Sequence, residues 1–190
     1  MAEVVGSGGR RGIPWRIIGW GGAVALLASP FAAMQMHAEG VDWSLGDFIV
    51  MGVMIAIVGG VIELAVRSST DWSYRAGAGL AVLGGFLVTW VNLAVGIVGS
   101  EHNPANQLFF VALLIGVVGS VVARGKAAGM ARAMLITAGS IVVVFVTAQL
   151  GVRDEPMVRP LVEGVGTSIF VLMFVGSAMM FRRSARMAPS

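Results

Sequence analysis

Residues 130–150 read MARAMLITAGSIVVVFVTAQL, an apolar run with a single charged side chain, Arg132. An α-helix of this length crosses the roughly 30 Å hydrocarbon core of a bilayer. Five similar runs cover about residues 15–36, 48–66, 76–98, 104–123 and 161–181. They lack the alternation of polar and apolar residues that marks barrel strands. The sequence therefore predicts an all-α, polytopic membrane helix bundle with six transmembrane helices.

The composition is typical of an integral membrane protein. It is 57% hydrophobic and 12% charged, with a mean hydropathy of +0.87, whereas a soluble domain carries about a quarter charged residues. Six spans of about 20 residues use most of the 190 residues. We therefore expect one membrane domain over 1–190, with short loops and any functional chemistry inside the bundle or at its rims.

The basic residues predict the orientation, because Lys and Arg are retained on the cytoplasmic side of a membrane. Eleven of the thirteen fall before the first span, between spans two and three or four and five, or after span six. The alternate loops hold only Arg153 and Arg159, together with acidic residues that include Glu101 and Glu163. Both termini are thus expected in the cytoplasm of a cell whose inner membrane the protein spans. The scattered arginines do not form a nucleic-acid surface.

The first span has an alternative reading. Arginines at 10, 11 and 16 precede a short apolar stretch that ends in small residues, which also fits a cleaved signal peptide. Cleavage would leave five spans in the same orientation.

The chain lacks the residues that several functional classes require. The chain has no cysteine, which excludes disulfides, thiolate metal sites and dithiol relays. Neither a nucleophile elbow, a zinc-protease motif nor a phosphate loop is present, and no span carries a histidine for haem or a lysine for retinal. His37 and His102 lie at the predicted outer rim, short of the three or four converging ligands that a metal needs. We expect no enzyme activity, cofactor or metal.

Small residues recur every four positions along three spans, and the chain contains 27 glycines. In lipid, small residues let helix backbones approach closely, so these stripes predict helix contacts, with a narrow pore as the alternative. The stripes are Gly52, Ala56 and Gly60; Gly77, Ala81, Gly85 and Thr89; and Ala112, Gly116 and Ser120.

Thr89 and Asn92 make the third span unusually polar. A buried amide must find a partner, so the favoured prediction is an interhelical hydrogen bond from Asn92 to Gln149 or Gln35, which lie at a similar predicted depth. Contact with a solute or ion is the alternative.

Glu63 is interpreted as the one acidic residue within a span, with Arg67 one helical turn later. An acid within the membrane suggests a proton carrier. Because Arg67 can neutralise it near the membrane surface, a structural ion pair is favoured.

The loop before the fourth span contains Glu101, His102, Asn103 and Pro104. Asn103 followed by proline is typical of a helix N-cap with proline in the first turn. The Asn-Pro-Ala triplet also occurs in aquaporins, but those carry two such motifs on half-helices that meet at the midplane. One copy between full-length spans does not support that analogy.

The stretches 90–101 and 103–106, together with residues 129–133 and Tyr74-Arg75, resemble a group of small bacterial inner-membrane proteins with no assigned activity. The resemblance extends over most of the chain. It implies a multi-pass bacterial inner-membrane protein and gives no mechanism. Other members of the group carry an acidic residue where this chain has His102, which further weakens a histidine metal site.

Two functions remain from the sequence. The first is a non-enzymatic accessory or structural subunit of a membrane complex, with the lipid bilayer and other membrane helices, from a second copy or another protein, as its partners. The alternative is a small solute or ion transporter or channel whose polar path passes Asn92, Thr89, Gln149 and Glu63. Convergence of those side chains would favour transport, and separate local hydrogen bonds would favour the subunit.

Overall fold

The computed structural model describes residues 15–38, 40–100, 102–151 and 159–187. In that part of the chain it is all-helical, without strands, and six helical segments are long and apolar enough to cross a membrane. The prediction of a six-helix membrane bundle is confirmed. The helices are α1 (Trp15–Gln35), α2 (Leu45–Ser68), α3 (Trp72–Ala94), α4 (Gln107–Ala123), α5 (Ala127–Gly151) and α6 (Pro160–Met187), with a 3-10 turn at Pro104–Asn106 that leads into α4.

Helix α3 is displaced from its predicted span, residues 76–98, by four residues at each end. It starts earlier because the side chain of Asp71 accepts a hydrogen bond from the backbone N–H of Ser73 and caps the helix. It stops earlier because Gly96 adopts a φ of +78°, which ends the helical path. Residues 95–98, predicted to be helical, form a loop instead.

The interpretation of Glu63 as the one acidic residue within a span is wrong. Helix α2 starts early enough to include Asp47 in its first turn, and Glu163, which falls within the predicted span 161–181, lies in the first turn of α6. Helix α6 continues beyond the predicted end at residue 181. Arg182, Arg183 and Arg186 are therefore helical.

The chain divides into two compact units, residues 1–59 and 60–190. In the first, α1 packs on α2 through small residues. A Cβ atom at Gly59 would lie 2.8 Å from the ring of Trp20, and one at Gly52 would lie 3.7 Å from Leu27. Helix α1 contains Pro30, which leaves the carbonyl of Leu26 without its helical donor. The hydroxyl of Ser29 donates to that carbonyl at 2.8 Å.

The second unit is an antiparallel bundle in which α5 lies between α4 and α6, and α6 lies between α5 and α3. Gly77 contacts Phe181, and Gly84 contacts Phe174, which is the register of two antiparallel helices. The largest fully buried side chains of its core include Val88, Phe109, Ile141 and Phe181.

This arrangement gives the second unit two distinct ends. One end, here called the basic end, holds the starts of α3 and α5 and the finishes of α4 and α6. The opposite end, called the loop end, holds residues 95–106 and the start of α6. At the basic end, the guanidinium of Arg75 donates to the carbonyls of Ser69 (2.7 Å) and Val66 (3.0 Å), which fastens the α2–α3 connection.

The predicted glycine stripes are correct in part. Gly77 faces α6, and Gly116 lies directly against Thr137 of α5. Gly85 and Gly60, however, have open space where a side chain would stand. Because α3 meets α6 at every second turn, the contact follows a spacing of seven residues from Gly77 to Gly84, rather than the predicted spacing of four.

Candidate functional site at the loop end

The loop that follows α3 is buried although it is not helical. Ile97 is 6% exposed and Val98 is fully buried. Backbone N–H and C=O groups away from water must be paired, and loop residues at membrane depth are tolerated only where protein supplies the partners. The polar side chains of the loop end provide them.

Asn106 supplies most of these partners. Its Oδ1 accepts from the backbone N–H groups of Ile97 (3.1 Å) and Val98 (2.9 Å). Its Nδ2 donates to the carbonyls of Val98 (3.2 Å) and Ser100 (2.7 Å). A side-chain amide offers two donors and two acceptor positions, and all four are used here. Asn106 is 3% exposed and ties the loop into one conformation.

Gly96 makes this closure possible. Besides its positive φ, a Cβ atom at this position would lie 2.6 Å from the carbonyl oxygen of Ser100 and 2.7 Å from Nδ2 of Asn106. Real Cβ atoms do not approach polar atoms so closely, so the position requires glycine.

Asn92 joins the same network. Its Nδ2 donates to the backbone carbonyl of Asn106 at 2.8 Å. The predicted partners, Gln149 or Gln35, were wrong. Because α3 ends at Ala94, Asn92 lies in the last turn of the helix, where the loop folds back over it. We call Asn92, Asn106 and the loop 96–100 the asparagine network.

Glu163 connects the asparagine network to α5 and α6. Its Oε1 accepts from the backbone N–H groups of Gly99 and Arg159, both at 3.0 Å. Its Oε2 accepts from the side-chain amide of Gln149. The carboxylate also lies in the first turn of α6, where the helix dipole favours negative charge. Gln149 thus has a partner from the neighbouring helix, although not the one predicted.

Two buried polar atoms of the loop end have no hydrogen-bond partner among the described residues: Oδ1 of Asn92 and Oγ1 of Thr167. Both side chains are 4% exposed. The α3–α6 register, with Gly84 beside Phe174, brings position 92 level with Thr167. Such groups usually pair with something when buried. A small polar molecule that donates to Asn92 and pairs with the Thr167 hydroxyl would suit both atoms.

The remaining candidates have local roles. Thr89 donates to the carbonyl of Gly85 in its own helix at 2.8 Å. Glu63 and Arg67 form the predicted ion pair, with Nη2 to Oε1 at 2.8 Å, and lie near the basic end. Asn103 caps the following turn by accepting from the N–H of Ala105 at 2.9 Å, as predicted.

The last two loop candidates are His102 and Glu101. His102 is exposed, and Glu101 lies outside the described residues. In the described ranges, no three His, Asp or Glu side chains gather as metal ligands would.

The structure therefore brings Asn92, Gln149 and Asn103 to one end of the bundle and leaves Thr89 and Glu63 apart from them. Asn106 and Glu163 were not recognised from the sequence. A signal existed for both, because each is a polar residue within a predicted span, 104–123 or 161–181, and such a residue needs a partner at its own depth.

Comparisons of the chain with protein-family models, with curated proteins and with solved structures found no match.

Proposed function

We propose that this protein is a non-catalytic, multi-pass subunit of a membrane protein complex in a bacterial inner membrane. The proposal rests on the hydrogen-bond partners of the polar residues. Asn92 and Gln149 belong to the hydrogen-bond network that fixes the loop end, and Glu63 is held apart from them by Arg67 of its own helix. Polar groups used in this way support a fixed scaffold rather than a shared solute path.

Helix α1 supports the same function through its exposed side. Trp20 and Leu27 contact α2, and the opposite side of α1 carries small exposed residues at spacings of three and four. These are Gly21, Ala25, Ala28 and Ala32. In lipid, a face of small residues favours contact with another helix because it lets the two backbones approach closely. The proposed occupant is a transmembrane helix of a partner protein.

The test uses the cysteine-free chain. A maleimide photo-crosslinker is attached to Ala25→Cys in native membranes, with Leu26→Cys as the matched control. Leu26 is 53% exposed on the same helix and points about 100° or more away from each of the four small residues. The expected result is one discrete adduct between Ala25→Cys and a single membrane protein, with a much weaker adduct for the control.

Co-purification in mild detergent provides the second criterion. Ala25→Leu should abolish stoichiometric recovery of that partner, and Gly19→Leu should retain it, because Gly19 lies on a different side of α1 with open space beside it. An adduct of two copies of this chain, or no adduct at all, would contradict the subunit proposal.

Transport of a small solute or ion is a second candidate, favoured by the unpaired atoms of Asn92 and Thr167. Proteoliposomes loaded with ions or small polar solutes test it. Transport requires flux above that of protein-free liposomes, lost in Thr167→Val and retained in Thr147→Val, a threonine that bonds only within its own helix. Background flux for every solute would remove this candidate.

A further inference from the structure

A pocket of about 310 Å³ lies at the basic end, between the start of α5 and the end of α6. Its volume is at the lower limit of the range of roughly 300–1,000 Å³ that is usual for small-ligand sites. Half of its lining residues are arginines and half are alanines: Ala128, Ala131, Arg132, Arg182, Ala185 and Arg186.

The three arginines line one pocket to which no described acidic residue contributes. None of them forms an ion pair with an acidic residue in the described part of the chain. Arg182 and Arg186 are four residues apart on one helix face, where like charges repel each other. Arg132 adds a third positive charge from the neighbouring helix. An anion between the helices would relieve this repulsion.

Helix dipoles account for only part of the cluster. Arginines near the finish of α6 are favoured by the negative end of its dipole. Arg132, in contrast, lies in the second turn of α5, towards the positive end of that dipole. The first N–H groups of α5 have no intrahelical acceptor, and Ala128 of that turn lines the pocket. Both features suit an anion.

The alanines make the pocket accessible from between the helices. Side chains with only a Cβ leave space beside the backbones of α5 and α6, so a ligand can contact all three guanidinium groups together. Arginine also matches the geometry of phosphate oxygens with paired N–H donors.

The depth of the pocket points to a lipid. Predicted spans at 130–150 and 161–181 place Arg132 and Arg182 at the edge of the hydrocarbon layer, which is the level of the headgroup phosphates. A separate apolar groove of about 390 Å³ also involves α5. It lies between α4 and α5, and Ile136 in its wall is one helical turn from Arg132. A phosphate in the pocket can therefore be followed by an acyl chain in the groove.

We propose that the pocket between α5 and α6 binds the phosphate headgroup of an anionic phospholipid through Arg132, Arg182 and Arg186. Basic pockets between transmembrane helices are suited to such headgroups. The proposal is independent of the partner contact assigned to α1.

The chain offers a matched control in Arg183, which is exposed, adjacent to Arg182 and outside the pocket. Its charge acts on Asp71 at the start of α3 instead. Removing Arg183 changes the net charge by the same amount as removing a pocket arginine, so it separates a specific site from general attraction to a negative membrane.

The experiment reconstitutes the full-length protein in nanodiscs of phosphatidylcholine with increasing phosphatidylglycerol or cardiolipin. Native mass spectrometry after detergent release then counts the lipids retained. One anionic lipid should be retained per chain, and its apparent affinity should fall about fivefold in Arg132→Gln or Arg186→Gln and remain within twofold in Arg183→Gln. Unchanged thermal midpoints of the variants would show that they fold.

Two further results would overturn the proposal. An equal loss in Arg183→Gln would mean general charge attraction, as would retention of anionic lipid by an Arg132→Gln, Arg186→Gln double variant. Inorganic phosphate at millimolar concentration is added as a separate arm. If it displaces the lipid completely, the pocket is a site for the free ion and not for a phospholipid. Lipid that stays bound supports the proposal.

Discussion

Asn106 shows how one side chain can replace a missing piece of secondary structure. Its amide pairs with three backbone groups of Ile97 and Val98 and with the carbonyl of Ser100. The N–H groups of Ile97 and Val98 would be paired within the helix if α3 continued to the predicted residue 98. The loop can thus be buried without leaving polar backbone groups exposed to apolar surroundings.

Replacing Asn106 by alanine should therefore be severe. Four backbone groups lose their partner, and an unpaired buried group costs about 1–3 kcal/mol, so the free energy of unfolding should fall by roughly 3 kcal/mol or more. Reversible denaturation in mixed micelles measures this. Asn106→Asp should also destabilise the protein, because its second oxygen replaces the donor to Val98 and Ser100, while Gln107→Ala, an exposed neighbour, should change stability by less than about 0.5 kcal/mol. Equal effects for Asn106→Ala and Gln107→Ala would refute the network.

Helix pairs in the second unit are held by glycines that admit a neighbouring side chain. Gly116 of α4 lies directly against Thr137 of α5, whose hydroxyl donates to Ala133 within its own helix at 2.9 Å. Thr137 is fully buried. Close approach of this kind contributes to helix association in lipid through van der Waals packing.

Gly116→Ala should separate α4 from α5 and destabilise the protein by about 1–3 kcal/mol, the usual cost of overpacking. Gly139→Ala in α5 is the control, since nothing lies within 4 Å of its would-be Cβ. That change should be neutral or stabilise the helix by up to about 1 kcal/mol. The thermal midpoint in detergent measures both, and a harmless Gly116→Ala would show that the contact carries no packing constraint.

The start of α3 depends on a charged cap outside the membrane-spanning segment. The hydroxyl of Ser184 and the backbone N–H of Ser73 hold the pKa of Asp71 below its ordinary value of 3.8, and the charge of Arg183 acts in the same direction. A lowered pKa means that the ionised carboxylate is favoured in the folded protein. Its stabilising effect is complete above the ordinary pKa and is lost as the pH falls below it.

Asp71→Asn should accordingly reduce the loss of stability that the protein shows at acidic pH. Asparagine can still accept the N–H of Ser73, so the cap persists while the charge does not. Thermal midpoints from pH 3 to pH 7 should decline less steeply in the variant than in the parent protein. Parallel curves would show that Asp71 contributes no pH dependence.

The whole second unit has a charge asymmetry that the helix directions explain. Because its helices alternate in direction, the basic connection from α4 to α5 and the arginines at the finish of α6 lie at the same end. Glu163 and the asparagine network lie at the other. The positive-inside rule predicts that the basic end faces the cytoplasm.

Single cysteines in this cysteine-free chain can test the orientation. Lys126→Cys at the basic end and His102→Cys at the loop end are both exposed positions. A membrane-impermeant maleimide should label His102→Cys in intact spheroplasts, and Lys126→Cys only after permeabilisation. The reverse pattern would refute the predicted cytoplasmic termini, and labelling of both in intact spheroplasts would refute a spanning bundle.

The apolar runs alone predicted the six helices, because a chain in lipid must satisfy its backbone within each segment and the run length matches the bilayer. The ion pair of Glu63 with Arg67 and the cap by Asn103 were also predictable, since both arise between residues within four positions of each other. Local geometry suffices for such contacts.

Tertiary packing was needed for the rest. Asn92 bonds to Asn106, and Glu163 bonds to Gln149 and Gly99, because antiparallel helices and a reversing loop bring distant segments to one end. The early end of α3 follows from the same packing. Ile97 and Val98 are apolar enough for a helix. The positive φ of Gly96 ends α3 before them, and the amide of Asn106, presented from the next segment, stabilises them as a buried loop. The convergence of Arg132 on Arg182 and Arg186 likewise depends on which helices are neighbours, and hydropathy carries no information about that.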